Sequence, residues 1–291
     1  MTQPWRQSRG PFAATFAPPA VWLGVFFIIP MLIIWGYSFG RTLGMTEIAV
    51  TGTLSNYARA FQPIYMTILF KSLSIAGLTT LLCLIIGFPV ALMMTFATPR
   101  GKVWLLLALM LPFWTNLLIR TYALMAVLRT KGFLNSSLEA LWNAFGGHFT
   151  PLPMMHNGFA VVLGLVYVNL PFLVLPLYSA LDRLDRSLLE ASLDLGAGHI
   201  RTIFMIVVPL AAPGILSGVL ITFIPALGSY LTPDLMGGAD NQMIANVIER
   251  QFKRANDWPF GAALSFLLMY LTLISMVVQH WAGRQQLETR A

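Results

Sequence analysis

The sequence predicts an all-α, polytopic membrane protein with six transmembrane helices, and two observations carry that prediction. Of its 291 residues, 57% are hydrophobic and only 10% charged, and the mean hydropathy is +0.73. Soluble domains carry about 25% charged residues, and no single soluble core hides so much apolar surface. The apolar residues are also gathered into stretches of the length, about 20 residues, that a helix needs to cross a bilayer.

Taken in order, the expected spans are Ala20–Phe39, Ser72–Phe96, Val103–Leu128, Gly158–Leu181, Ile203–Leu231 and Phe260–Ala282. The first follows Arg6 and Arg9 as a secretory leader would. It is too long for a leader's apolar region and no small-x-small cleavage site follows, so it reads as a retained span. Residues 1–19 and 283–291 are then a cytoplasmic N-terminal segment and tail around a membrane domain of residues 20–282. No internal repeat and no separate soluble domain is visible. Between the third and fourth spans, Leu134, Leu138, Leu141 and Phe145 recur at helical spacing, which predicts an amphipathic helix lying at the interface.

Prolines interrupt several spans: Pro30, Pro89, Pro112, Pro171, Pro176, Pro213 and Pro225. Each removes a backbone donor, which membrane helices tolerate where neighbours or cavity water satisfy the freed carbonyls. The fifth span is the most broken, with Pro209, Gly214, Gly218 and Gly228 besides its other prolines. Its small residues serve either close helix packing or gating.

An even number of spans places both termini on one side. Basic residues divide almost evenly between the two faces, but Arg100 and Lys102 concentrate in the tight turn Thr98–Lys102. The positive-inside rule therefore favours that turn, and both termini, in the cytoplasm. The net charge of +7 fits loops facing anionic lipid, without a basic run of the kind that binds nucleic acid. Cys83 is the single cysteine, so an internal disulfide and a thiolate metal cluster are excluded. His148, His156, His199 and His280 show no metal-binding spacing. No cofactor or metal is expected.

Few polar groups fall at membrane depth. Arg120 lies roughly 25 Å beyond Val103 along a straight helix, near the outer boundary. There it either snorkels and ends the span or shapes the outer mouth. Asn116 and Asn169 are expected to hydrogen-bond between helices. Trp114, Tyr122, Tyr167, Phe172 and Tyr230 form an aromatic set in the outer halves of three spans, either an interfacial belt or faces for a passing cation. The absence of Asp or Glu in mid-span, and of an inverted repeat, counts against an ion-coupled secondary carrier.

One stretch breaks the apolar pattern. From Asp182 the charged residues Asp182, Arg186, Glu190 and Asp194 recur every four, beside a row of Leu181, Leu184, Leu188, Ala191 and Leu195. This predicts an amphipathic helix with an Asp182–Arg186 pair on its surface, stopped by Gly196. A second helix from about Ala197 then runs into the fifth span.

The spacing here is Glu190-Ala191-Ser192, three residues, Gly196, nine residues, then Ile206-Val207-Val208-Pro209. It resembles the EAA loop of permease subunits in ATP-driven bacterial importers, with Ser192 in place of Ala and Val208 in place of Leu. Further motifs resemble the spermidine/putrescine permeases, the first of their two paired subunits. They are Pro112-Phe113-Trp114, Ile119-Arg120-Thr121-Tyr122, Asn169-Leu170-Pro171, Pro225-Ala226-Leu227-Gly228, Asp234-Leu235-Met236-Gly237-Gly238 and Asp257-Trp258-Pro259-Phe260.

The resemblance implies the type I importer permease fold in a bacterial inner membrane. It also implies a second permease subunit, cytoplasmic ATPase subunits and a soluble substrate-binding protein. Glu190, Ala191, Asp194 and Gly196, within a loop of about residues 182–209, are then the coupling positions. Trp114, Asn116, Tyr122, Tyr167, Asn169, Tyr230 and Asp234 are candidates for the translocation path. The chain has no GxxxxGK[ST] phosphate loop, so it is expected to be no enzyme. The expected solute is a polyamine or related small nitrogenous compound, with opines and amino-acid derivatives as alternatives.

Overall fold

The computed structural model describes residues 9–43, 47–145, 147 and 149–288. Residues 1–8 and 289–291 of the terminal segments, and His148, lie outside the described residues. The chain divides into two units, one gathered from Met1–Pro63 and Ile248–Leu271, the other from Ile64–Val247 and Thr272–Ala291.

In the first unit, α1 (Arg9–Leu23) runs through a π turn at Gly24–Ile28 into α2 (Ile29–Ser38). A short antiparallel hairpin follows, β1 (Gly40–Thr42) and β2 (Ile48–Val50), with Arg41 opposite Ala49. Beyond it, α3 (Ser55–Ala60) is fastened to the end of α2, where the Asn56 amide donates to the carbonyls of Ser38 and Gly40 at 3.0 and 2.9 Å. Asp257 leads into α14 (Trp258–Glu288) and pairs with Arg59 at 2.7 Å, while the Arg59 guanidinium lies 3.9 Å from the Phe260 ring centroid.

The second unit is built around α8 (Gly158–Leu181). Val161, Leu165, Leu173, Val174 and Leu177 of that helix are fully buried against Cys83, Ala91 and Met94 of α4 (Pro63–Phe96) and Ala211 of α11 (Val208–Leu227). Small residues set these approaches. A methyl group on Gly214 would stand 2.3 Å from the Ala180 Cβ, and one on Gly87 2.8 Å from the Leu173 Cδ2. Gly214 and Gly218 of the fifth span thus serve helix packing. Gly228 ends α11, its amide donating to the Ile224 carbonyl.

Among the described residues, five helices are long and apolar enough to cross a membrane: Phe12–Ser38, Pro63–Phe96, Gly158–Leu181, His199–Leu227 and Trp258–Val277. The expected third span is not one straight helix. It comprises α5 (Pro99–Met110), a 3-10 turn at Leu111–Trp114 and α6 (Leu117–Leu128), and Pro99–Trp114 is bent by 97° against the helical stretch Leu117–Ala144. Pro112 lacks an amide donor, and Asn116 instead starts a new helix by capping the Leu118 amide at 2.8 Å. Counted as one broken span, these elements bring the total to six.

The amphipathic helix expected after the third span is α7 (Phe133–Ala144). It is held by buried Asn135, whose amide donates to the Arg129 and Leu152 carbonyls and whose oxygen accepts from the Leu152 amide. The remaining short helices are α9 (Arg186–Asp194), α10 (His199–Thr202), α12 (Leu231–Met236) and α13 (Ile244–Lys253).

Two of the prolines explain the π turns. Pro30 and Pro209 each sit at the second position of the α-helix that follows one. A proline ring clashes with the carbonyl four residues earlier and offers that carbonyl no donor. Widening the preceding turn relieves both problems, and the Ile29 and Val208 amides reach five residues back, to Gly24 and Ile203.

Candidate functional site

The polar loop between α8 and α11 has a defined start and stop. Asp185 caps α9, its carboxylate accepting from the Ser187 amide at 3.0 Å. That bond holds the Asp185 carboxyl below the usual aspartate range. At the other end, the Gly196 amide donates to Leu193 and the Ala197 amide to Ser192, with Gly196 at φ +82°. This pair of bonds around a left-handed residue is the Schellman stop, and it explains why glycine stands there. Buried Ser192 and Thr202 then join α9 to α10 through hydroxyls 3.0 Å apart.

The helix starts later than the charge pattern predicts, at Arg186 rather than Asp182. Asp182 instead ends α8, and the expected Asp182–Arg186 pair is replaced by two ties to other elements. Asp182 pairs with Lys102 of α5 at 2.5 Å, and the Arg186 guanidinium donates to the Thr95 carbonyl of α4 at 3.4 Å. The later start also shifts the faces of α9. Leu189 and Ser192 turn inward, whereas Leu188 and Ala191 of the expected apolar row are exposed. Glu190 and Asp194 are exposed as well. On the same loop Leu195 is 89% and Ile200 73% exposed, apolar side chains left open to a partner.

The proposed path residues are placed on four elements, the 3-10 turn, α6, α8 and α12. Trp114 closes the 3-10 turn at the break and is 78% exposed, and Tyr122 of α6, Tyr167 of α8 and Tyr230 before α12 are also exposed. Asp234 is exposed in the first turn of α12. The two asparagines correct the expectation of interhelical bonds. Asn116 caps its own helix. Asn169, 3% exposed, donates to the Leu165 carbonyl one turn back, and so quietens its own polarity without a partner helix. Arg120 does not snorkel. It is 8% exposed, its Nε has no hydrogen-bond partner, and its guanidinium lies 5.5 Å from the Phe113 ring centroid. The straight-helix distance that placed it at the outer boundary fails because of the bend.

Residues 9–286 match the family of binding-protein-dependent transport system inner membrane components. The chain belongs to that family. It is 43% identical over 263 residues to the spermidine/putrescine transport system permease protein PotB of Escherichia coli, covering 90% of this chain and 94% of that one. The protein of the same name from Haemophilus influenzae is 40% identical over 263 residues, covering 90% and 91%. The inner membrane ABC transporter permease YdcU of Escherichia coli is 32% identical over 272 residues, covering 89% and 84%. Among solved structures, a chain of the bacterial alginate ABC transporter in complex with its periplasmic protein superposes with a TM-score of 0.76 at 15% identity, covering 97% of each. That likeness establishes the importer permease fold.

The family accounts for the transport role. It makes this chain a membrane-embedded component of a binding-protein-dependent importer that works with ATPase and binding-protein partners. Sequence reasoning missed the Lys102–Asp182 and Arg186–Thr95 ties. A signal for the first was present, since Lys102 stands in the first turn of α5 and Asp182 just past the last turn of α8, each at the pole of its own helix that disfavours its charge.

Proposed function

We propose that this permease subunit forms the membrane pathway for polyamines together with a second, non-identical permease subunit. The polyamine assignment rests on the PotB relatives at 40–43% identity over 90% of the chain. Exposed aromatic faces at Trp114, Tyr122, Tyr167 and Tyr230, with Asp234, offer cation–π and carboxylate partners for a small organic cation. In this reading the loop, the turn at Thr98–Lys102 and both termini face the cytoplasm.

The observation that carries the coupling role is the exposed surface of Leu195 and Ile200 beside Glu190, on a loop capped at both ends. It suits insertion into a cleft of the ATPase subunit, with Glu190, Ala191, Asp194 and Gly196 at the contact. The test is reconstitution in liposomes with the co-encoded permease, ATPase and binding protein. Putrescine or spermidine should stimulate ATP hydrolysis and enter the vesicles. Stimulation by opines or amino-acid derivatives alone would overturn the polyamine reading. Glu190→Ala and Gly196→Pro should insert normally yet separate hydrolysis from uptake, and wild-type behaviour in both would overturn the coupling role.

A further inference from the structure

The geometry points to Lys102, Asp182 and Arg186 as positioning residues that carry the movement of α9 into the second and third spans, an inference that rests on the coupling role proposed for α9. By chain connectivity α9 is continuous only with α8 and, through α10, with α11. The side chains add two connections that the sequence order does not provide.

Each of these charges is misplaced on its own helix and well placed for a neighbour. Lys102 lies in the first turn of α5, where the helix dipole disfavours a cation, and Asp182 follows the last turn of α8, where it disfavours an anion. Brought together at 2.5 Å, with Lys102 also 5.8 Å from the Tyr178 ring centroid, they neutralise both poles. Arg186 opens α9 and is again at the wrong pole for its own helix. Its guanidinium instead reaches the Thr95 carbonyl at the C-terminal end of α4 and lies 5.8 Å from the Phe96 ring centroid, and the last turn of a helix favours a cation. Charges serving only solubility or local helix stability belong at the opposite poles. The observed placement is what a set of ties between elements requires.

The consequence concerns the third span. A displacement of α9 passes along residues 183–185 to Asp182 at the end of α8 and from there to Lys102 of α5, and α5 leads directly to the broken turn that carries Trp114. The side chains of the Lys102–Asp182 pair are 23% and 41% exposed, so neutralising either leaves the fold intact while removing the connection.

The experiment compares Lys102→Gln, Asp182→Asn and the exchanged pair Lys102→Asp/Asp182→Lys in the assembled transporter, measuring spermidine taken up per ATP hydrolysed. Each single variant should lower that ratio by about two- to fivefold, the range open to a partly exposed ion pair, with ATP hydrolysis retained. The exchanged pair should restore it, since a purely structural contribution of either charge is not recovered by exchange. Single variants at the wild-type ratio would overturn the inference, and so would an exchanged pair as low as the singles. Should Lys102→Gln fail to assemble, Asp182→Asn and the exchanged pair make the same comparison. Glu190→Ala, measured in parallel, separates the two readings. A wild-type ratio there and in Gly196→Pro refutes the coupling role of α9, whereas a low ratio there with normal single variants refutes only the ties.

Discussion

The Arg120 guanidinium lies 5.5 Å from the Phe113 ring centroid, across the break that divides the third span. An arginine held 8% exposed with an unpartnered Nε is costly to bury. The ring face offsets part of that cost. Phe113→Leu should therefore destabilise the chain by ~1 kcal/mol through the lost cation–π contact, and Arg120→Met, of similar volume, should be neutral or stabilising. Thermal unfolding in detergent of both variants and of the double variant tests this. A coupling free energy of zero in the cycle would show that the ring and the guanidinium ignore each other.

The close approach of α8 and α11 yields a steric prediction. Because a Cβ on Gly214 would fall 2.3 Å from that of Ala180 and 3.1 Å from the Pro176 carbonyl, Gly214→Ala should cost about 1–3 kcal/mol by overpacking. Ala180→Gly in the same chain should recover much of the loss. Lower melting temperatures that Ala180→Gly leaves unrepaired would indicate that the carbonyl, not the methyl, sets the limit.

These cases show what was legible in the sequence. Spans are legible because crossing a bilayer fixes the length of an apolar run, and α4, α8 and the helix ending at Leu227 satisfy that rule without help from context. The break at Thr115–Asn116 was hidden because apolar length says nothing about direction, and Leu117–Leu128 continues the hydrophobic run. Pro112 and Asn116 marked it only in combination. The loop was legible in its spacing but not in its pairing. An i,i+4 pair of Asp182 with Arg186 presumes a helix through both, whereas Asp185 is the better cap and starts the helix one residue later. Arg120 meets a related limit, since a distance counted along a straight helix does not hold across the bend.

The cap at Asp185 has a defined pH dependence. Its carboxyl is held below the usual aspartate range by the Ser187 amide. A lowered folded-state value means that the cap's stabilising contribution is complete above the ordinary aspartate range and is lost as pH falls through the depressed folded-state value. Amide exchange at Ser187, corrected for intrinsic rates, should thus be unchanged from neutral pH down to the ordinary aspartate range and accelerate below it. Asp185→Asn keeps an acceptor without a charge and should abolish the acid limb. An acid limb of the same size in that variant would assign it to another group.

Pro209 controls the join between the loop and the fifth span. The π turn at Ile203–Val207 lets the Val208 amide reach Ile203 and clears the proline ring from the Met205 carbonyl. Alanine at 209 restores a donor and removes the ring, so the turn should contract to α geometry with a new bond from residue 209 to Met205. Contraction by one residue rotates everything before it by about 100° relative to α11. The Ser192–Thr202 contact would then turn with α10, and the exposed Leu195 and Ile200 would face elsewhere. Pro209→Ala should accordingly insert and fold, show new exchange protection at the 209 amide, and lose solute-stimulated ATP hydrolysis. Protection without that loss would mean that the rotation is absorbed within α10. Loss without protection would mean that the proline acts through something other than the widened turn.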